Sequence, residues 1–539
     1  MVNIMKLKYI SIMFAALGIL AGNKQAMAQK NHYSFERIES MTPWLQSYNG
    51  AGLVFNAADE NISTVYADAH YNKNGFKNYN EAGSVTTLGL GTKSYTKLNK
   101  FYFYGKFDYS YTFKKDQTWL GTVYENGTIA PMLENVPGKV HNESYKLNAK
   151  IAYKVSDKSA FGITFDYEDA VAAKKKDGRN SNTYSNLNVS PAYTFASEHV
   201  NLGLGLNYQY NVENVNYQYY GEATGLHLYY MDGLFMYTSS TIIGTMIKER
   251  MYTKNTFGGS AQVELKFGKF SFFNQFTTLY GNQNMYEDLG LKTRYAIAEN
   301  MQYNYNGILK LSGDKMENSL HLNYGHNQTL LYNISNVYEE IEGENNQWQY
   351  FEHGKVLRYT AQRECAGAKY HGFIKRDDYL QNIDFSLGFE FCKDTKTQKL
   401  YPAEYNQTIY MRNYFADVNK SISIKDYGYF IIGVSAGFSN GSGCMLSEKN
   451  PITAGSINVH YDLLETDFLY KTAEKYNIGG SVKYSHTLNQ EKGMSLWIKA
   501  NYNYNGITMP EWSSENSEIL NHFVKDNRHA VNVSVGFNF

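Results

Sequence analysis

The last eleven residues, HAVNVSVGFNF (529–539), alternate without a break: Val531, Val533, Val535, Phe537 and Phe539 share one face, and Asn532, Ser534, Gly536 and Asn538 share the other. A period of two is the signature of a β-strand with one apolar and one polar side. The pattern recurs upstream. In NLGLGLNYQY (201–210), Leu202, Leu204, Leu206, Tyr208 and Tyr210 oppose Asn201, Gly203, Gly205, Asn207 and Gln209. In YNIGGSVKYS (476–485), Tyr476, Ile478, Val482 and Tyr484 oppose Asn477, Ser481 and Lys483. FYFYGKFDYSYTF (101–113) and YKLNAKIAYKV (145–155) repeat it, with Lys106, Asp108, Lys146 and Lys150 on the polar side.

A soluble sandwich also alternates, so three further features decide. Many of these segments run ten residues or more, the length a tilted strand needs to cross a bilayer, whereas an ordinary globular strand has about five or six. Aromatics crowd the segment ends, as at Tyr208, Tyr210, Tyr502, Tyr504, Phe537 and Phe539, where an amphipathic ring sits at headgroup depth. Short connections, such as Thr96–Lys100, Ser156–Ser159, Ser197–His199 and Gly268–Lys269, alternate with long ones. About eighteen spanning strands fit between residues 61 and 539, with 16 as the alternative count. An even number returns the last strand to the short-turn side. In hydrocarbon an unpaired backbone group costs several kcal/mol, so the first strand must pair with the last. The expected fold is all-β, a transmembrane antiparallel up-and-down β-barrel with short periplasmic turns and long extracellular loops.

The start of the chain is an address. Residues 1–28 carry Lys6 and Lys8, an apolar run YISIMFAALGILAG (9–22) and a small-x-small site at Ala26–Ala28, as a cleavable signal peptide does. The run is too short for a spanning helix, and Gln29 follows the site where a lipoprotein would have Cys. Residues 29–60 read as a short periplasmic N-terminal segment, too few for a folded plug domain. Asn49, Gly50, Ala51 and Gly52 form a tight turn there that tucks the segment against the barrel floor, unless it is an extended lead-in.

Composition closes other routes. The chain has 51 Lys+Arg against 51 Asp+Glu, so it has no basic excess with which to hold nucleic acid. Fifty Tyr and 44 Gly beside only 7 Pro do not suit a disordered chain, and 3 Cys cannot staple one of 539 residues.

The signal peptide, the Tyr/Gly/Asn-rich strands and the terminal Phe539 resemble a Gram-negative outer-membrane β-barrel. Val533, Val535, Phe537 and Phe539 are similar to the signature such barrels present to their assembly machinery. With the segment WLQSYNGAGLVFN (44–56), the Tyr-rich composition resembles an uncharacterised large-barrel family of bacteroidete-type outer membranes. The resemblance implies location and fold, with outer-membrane lipid and the barrel-assembly machinery as partners, and no established reaction.

The inward face supplies the first functional candidates: Lys106, Asp108, Lys146, Lys150, Asp166, Glu168, Glu264, Lys266, Lys310, Asp384, Glu390, Lys483 and Lys499. These either line a water-filled pore of weak charge selectivity or pair across strands and stiffen the wall. The connection 213–255 is too apolar for a solvated tether. Its Tyr229, Tyr230, Phe235 and Met236 either form a constriction in the lumen, bind a partner at the rim, or pack on neighbouring loops. Residues 330–355, with Glu339, Glu340, Glu342, Glu344, Trp348, Tyr350, Phe351 and Glu352, either hold Ca²⁺ or stack on a sugar, or form a solvated acidic turn; their spacing matches no calcium loop, which favours the turn. Cys365 and Cys392 fall on adjacent strands, and the periplasm permits a bridge between them, leaving Cys444 over. The thirteen His are scattered, and His321 and His326, five apart, lie on opposite faces. No cofactor is implied.

These readings point to a porin-like diffusion or accessory uptake channel for a polar solute, with no chemistry of its own. The alternative is a plugged scaffold holding a surface lipoprotein or secretion component; a barrel enzyme is third. A surface lipoprotein or an active-transport receptor is the further partner considered.

Overall fold

In the computed structural model the alternating segments become strands, and the chain closes on itself. The structure describes residues 39, 42–56, 61–124, 128–176, 178–220, 225–244, 246–287, 293–342, 347–375, 381–424, 428–450, 458–489, 493–511, 519 and 521–539. The signal peptide (1–28) and Glu344 lie outside these residues.

Two short helices, α1 (Pro43–Gln46) and α2 (Leu53–Asn56), flank a single 3₁₀ turn at Gly50–Gly52. The strands that follow are β1 (Ile62–Phe76), β2 (Ser84–Leu98), β3 (Phe101–Gln117), β4 (Met132–Leu133), β5 (Gly138–Lys154), β6 (Ser159–Lys174), β7 (Arg179–Ala196) and β8 (Val200–Tyr219). Then come β9 (Leu226–Met231), β10 (Met236–Ile242), β11 (Met246–Phe267), β12 (Phe270–Glu287), β13 (Thr293–Ser312), β14 (Met316–Glu340), β15 (Trp348–Lys375) and β16 (Gln381–Leu400). The chain ends with β17 (Ala403–Ile424), β18 (Gly428–Lys449), β19 (Asn458–Val459), helix α3 (Tyr461–Thr472), β20 (Lys475–Asn489), β21 (Met494–Ile507) and β22 (Phe523–Asn538).

Eighteen of these strands form one antiparallel sheet in which each pairs with its wall neighbours in sequence, and β1 pairs with β22 to close it. Ala69 stands opposite Val533, Ala67 opposite Val535 and Val65 opposite Phe537. The four strands left over, β4, β9, β10 and β19, make a separate small sheet.

Outside the barrel the apolar set is bare: Leu204 is 65% exposed, Leu206 70% and Leu387 63%. Such a belt is stable only in lipid, where a closed sheet leaves no backbone group unpaired. No helix among the described residues is long and apolar enough to cross a membrane. The barrel crosses with strands, and Asn99, at a positive φ of 55°, and Gly268, at 56°, turn two of the short connections.

The extracellular ends depart from the sequence reading. The connection expected at 213–255 is shorter, because β8 runs on to Tyr219 and β11 begins at Met246. There the pattern inverts: Val215, Tyr217 and Tyr219 are buried inward, and Asn214, Asn216 and Gln218 lie on the opposite side. Above the bilayer the outside is water and the inside is protein, so the apolar side chains change sides. Residues 330–340 and 348–355 are likewise strand rather than turn. The phase is lost at bulges, between Leu331 and Tyr332 and between Ser335 and Asn336, which interrupt simple alternation.

Candidate functional site

The lumen is occupied from both ends by segments of the chain itself. At the short-turn end, residues 43–56 lie inside the barrel rather than beneath it. Trp44 is fully buried, and its indole N–H donates to Glu264 at 2.9 Å. Lys150 donates to the carbonyls of Leu45 and of Ser47, the latter at 2.8 Å. Asn49 caps the 3₁₀ turn through its side-chain oxygen and donates its amide to Gln262 at 3.0 Å and to the Tyr193 carbonyl at 3.2 Å. A Cβ at Gly162 of the wall would collide with the backbone nitrogen of Ala51, so glycine is what lets the insert lie flush. Upstream, Glu39 ties the segment to Lys93 and Tyr104, both at 2.8 Å.

Most of the charged residues selected from the sequence meet polar or charged partners of the chain. Lys106 pairs with Asp108 at 2.7 Å, and Asp108 also accepts from the Tyr66 hydroxyl. Lys146 meets Glu168 at 3.0 Å, and Asp166 accepts from Asn148 and from Asn188, the latter at 2.9 Å. Glu264 binds Trp44 and Asn201, with Lys266 at 3.5 Å. Lys310 pairs with Glu317 at 2.6 Å, Asp384 with His371 at 2.7 Å, and Glu390 accepts from Asn413 at 3.2 Å. Lys483 lies over the Trp497 ring, 5.0 Å from its centroid. Lys106, Lys483 and Lys499 come together around a cavity of about 320 Å³ near the short-turn end, with Lys93 and Asp68.

At the extracellular end the small sheet and α3 fill the bore. Phe235 and Met236 are buried, while Tyr229 and Tyr230 are half-buried. The hairpin of β9 and β10 touches the surrounding barrel at several places. Leu234 N–H donates to Gln398 on β16 at 3.1 Å, Phe235 meets Tyr79 edge-on at 5.2 Å, and Arg250 of β11 covers the Tyr230 ring at 4.6 Å. His460 stands edge-on to Trp119 at 4.6 Å and to Tyr229 of β9 at 5.9 Å, joining the small sheet to α3, and burial lowers its pKa. On α3, Asp467 accepts from Lys471 at 2.8 Å and from Asn78 at 3.0 Å, with Lys396 at 3.4 Å. Burial raises the Asp467 carboxyl, but these cations together more than offset it and hold it below the ordinary carboxylate range.

Between the wall and these inserts lies a polar cavity of about 670 Å³. Its described lining carries five cationic side chains, Lys114, Arg363, Lys396, Lys471 and Arg528, and three carboxylates, Glu81, Asp394 and Asp467. Asn72, Asn74, Asn78, Asn80 and Asn327 add amides, and Tyr79, Tyr359 and Phe235 add aromatic surface. Cys365 and Cys392, directly opposite on β15 and β16, form a disulfide beside Arg363, and Cys444 is a free, exposed thiol. Among the described residues no group of three or more His, Cys, Asp or Glu is placed to hold a metal ion.

Sequence reasoning missed Asp467, Lys396, Asn78 and the whole of α3. Nothing in a short apolar-and-charged stretch inside a long connection marks it as an interior helix. Trp44, a large apolar side chain outside any strand, was the available signal for the insert.

The closed sheet, its lipid-facing belt and its polar, filled lumen define an outer-membrane β-barrel. Residues 50–539 match the model described as "Family of unknown function (DUF6850)", and the chain belongs to that family. No curated protein matches the chain. Among solved structures it is similar to BauA, the ferric preacinetobactin receptor from Acinetobacter baumannii, at 8% identity and a TM-score of 0.40, over 90% of this chain and 80% of that one. It is similar to the outer membrane transporter YddB from Escherichia coli at 8% identity and a TM-score of 0.40, over 90% and 81% of the two chains. For the RagAB peptide importer the values are 5%, 0.38, 89% and 87%. At these values the likeness says nothing about cargo.

Proposed function

We propose that the barrel is a gated channel for uptake of a polar solute, without chemistry of its own, and that its resting form is the closed one described above. The observation that carries this reading is a lumen occupied near both ends by segments of the chain itself, with a polar cavity left between the wall and the extracellular one. A wall-only pore needs no inserts, and a purely structural filling would be apolar and leave no such space. Residues 43–56 act as the periplasmic hatch and the hairpin 226–242 as the external constriction, each having to move for passage. The Tyr-rich strands fit a bacteroidete-type outer membrane, and a surface lipoprotein over the mouth or an active-transport receptor would supply the work of opening.

Planar-bilayer recordings test it. The intact barrel is expected to show rare or small openings, and replacing residues 225–244 with a short Gly/Ser linker, or loosening the hatch, is expected to give stable open steps. If all variants stay silent and the barrel co-purifies with a surface protein, the scaffold reading replaces the channel. The pairing of the lumen charges is what favours that second reading.

A further inference from the structure

We infer that Lys73, Lys115 and Lys139, at the extracellular edge of the lipid-facing belt, form a docking site for the phosphate headgroup of an outer-leaflet glycolipid. The inference stands whether or not the barrel conducts.

The strands themselves place the row. On β1 the exposed Val65 and Tyr71 are followed at the same parity by Lys73, and on β3 Phe101 and Phe113 are followed by Lys115. On β5, which runs the other way, Lys139 precedes Ile151 and Tyr153 at the same parity. Side chains two apart share a face, so each lysine lies on the side that bears the belt, and all three are exposed. Register brings them to one level. Lys73 and Lys115 both stand opposite Ser84 of β2, and Phe113, two residues before Lys115, stands opposite His141, two residues after Lys139. Paired strands lie about 4.8 Å apart, so Lys73 and Lys115 are about 10 Å apart across the small Ser84, and their long side chains can close on one anion between them.

Charge sets the occupant's sign. None of the three lysines makes a hydrogen bond or ion pair with another of the described residues. The neighbouring carboxylates are engaged or deeper. Asp116, next to Lys115 in sequence, lies beside Lys77, whose ammonium donates to its carbonyl at 2.8 Å. Glu143, four residues beyond Lys139 toward the short turns, accepts from Tyr109 at 3.1 Å and from Tyr145 at 2.6 Å, and Asp169, opposite Tyr145, lies deeper still. Cations at the rim of hydrocarbon stand at headgroup level, where phosphate is the anion that meets them. Position sets the occupant's class. Tyr71 and Phe113, directly below the row, are 44% and 37% exposed and belong to the belt that lipid covers. A soluble acidic partner would have to displace that lipid to sit on the lysines, whereas a lipid covers the belt and the row together.

The test is native mass spectrometry of the full-length barrel in detergent, titrated with diphosphoryl lipid A and with the same lipid stripped of its phosphates. The diphosphoryl form is expected to bind at least about tenfold more tightly, and to weaken as salt is raised. Replacing all three lysines, Lys73→Gln, Lys115→Gln and Lys139→Gln, is expected to remove that preference, and Lys→Arg at the same three positions to keep it. Lys100→Gln with Lys158→Gln, two exposed lysines of the short turns, is expected to leave it unchanged. Heat-modifiable migration on gels checks that each variant is folded. Equal binding of the phosphate-free lipid, a preference that survives in the triple Gln variant, or displacement of lipid A by an equal concentration of inorganic phosphate overturns the inference. So does an acidic protein that co-purifies with the parent and is released by the triple Gln variant.

Discussion

The indole N–H of Trp44 donates to a Glu264 carboxylate oxygen at 2.9 Å, joining the N-terminal insert to a wall strand 220 residues away. Glu264 is shared with Asn201, also at 2.9 Å, so the acceptor stays satisfied in part when the indole is gone. Trp44→Ala removes a fully buried ring that also meets Phe273 edge-on at 5.3 Å, and is expected to cost the insert about 3–5 kcal/mol. Glu264→Ala strands a buried donor and is expected to cost about 1–3 kcal/mol. Protease added from the periplasmic side should cut residues 43–56 fastest in Trp44→Ala, then in Glu264→Ala, and slowest in the parent. Equal rates in all three would show that this hydrogen bond does not hold the insert.

Gly162→Val separates the insert from the barrel. The new side chain would collide with the Ala51 backbone, whereas the strand β6 that carries it pairs with β5 and β7 and suits a β-branched residue. The barrel should keep its heat-modifiable migration on gels while residues 43–56 become protease-sensitive and the open probability in bilayers rises. Retention of a protected insert would mean that the wall yields locally instead.

All eighteen wall strands could be read from alternation, because the membrane imposes it: lipid on one side, polar lumen on the other. The reading ended where that boundary ends. At Val215, Tyr217 and Tyr219 the apolar residues move inward, and at Leu331 and Tyr332 a bulge shifts the phase, so strands that continue past the bilayer looked like loop. Parity assigns a side of the strand to each charge but says nothing of its partners, since Lys150 finds carbonyls of residues 45 and 47 that lie 105 and 103 positions away. The cavity was illegible for the same reason. Asn78, Lys396 and Asp467 meet only because α3 is folded back into the bore, a matter of tertiary placement that no local pattern encodes.

On the lipid face, Leu204 is expected to reject charge. It stands opposite Ala261 and Tyr193 on an outward row of β8 and is 65% exposed to what surrounds the barrel. Leu204→Arg should destabilise refolding into lipid vesicles by about 2–4 kcal/mol if the site is near mid-bilayer and by about 0–1 near a boundary. Leu204→Ser in detergent should be nearly silent. An arginine tolerated in vesicles as well as in detergent would mean that this row does not meet hydrocarbon.

Asp467→Asn keeps the shape of the side chain and removes its charge. Lys471 and Lys396 would then face each other across a nearly buried amide, and breaking a buried ion pair from one side typically costs about 3–5 kcal/mol. Amide hydrogen exchange should accelerate across residues 461–472 without changing in β20 to β22. Uniform acceleration across the barrel would show that α3 and the wall unfold together.

His522 makes the extracellular end of β22 acid-sensitive. Its side chain is buried, its Nδ1 has no hydrogen-bond partner among the described residues, and its carbonyl accepts from the Lys77 N–H at 2.8 Å. Burial, with the Lys77 charge adding to it, lowers its pKa to about 4. The unfolded segment takes up a proton near pH 6.5 and the folded one resists until about 4, so the folded form is favoured in full above 6.5 and loses its advantage as pH falls between those values. The loss approaches about 3 kcal/mol at the acid end. Hydrogen exchange at residues 521–524 is therefore expected to quicken, relative to the intrinsic rate, from pH 7 to pH 4.5, and His522→Gln, which cannot take up the proton, should flatten that dependence. A pH dependence that survives His522→Gln must be assigned to another group.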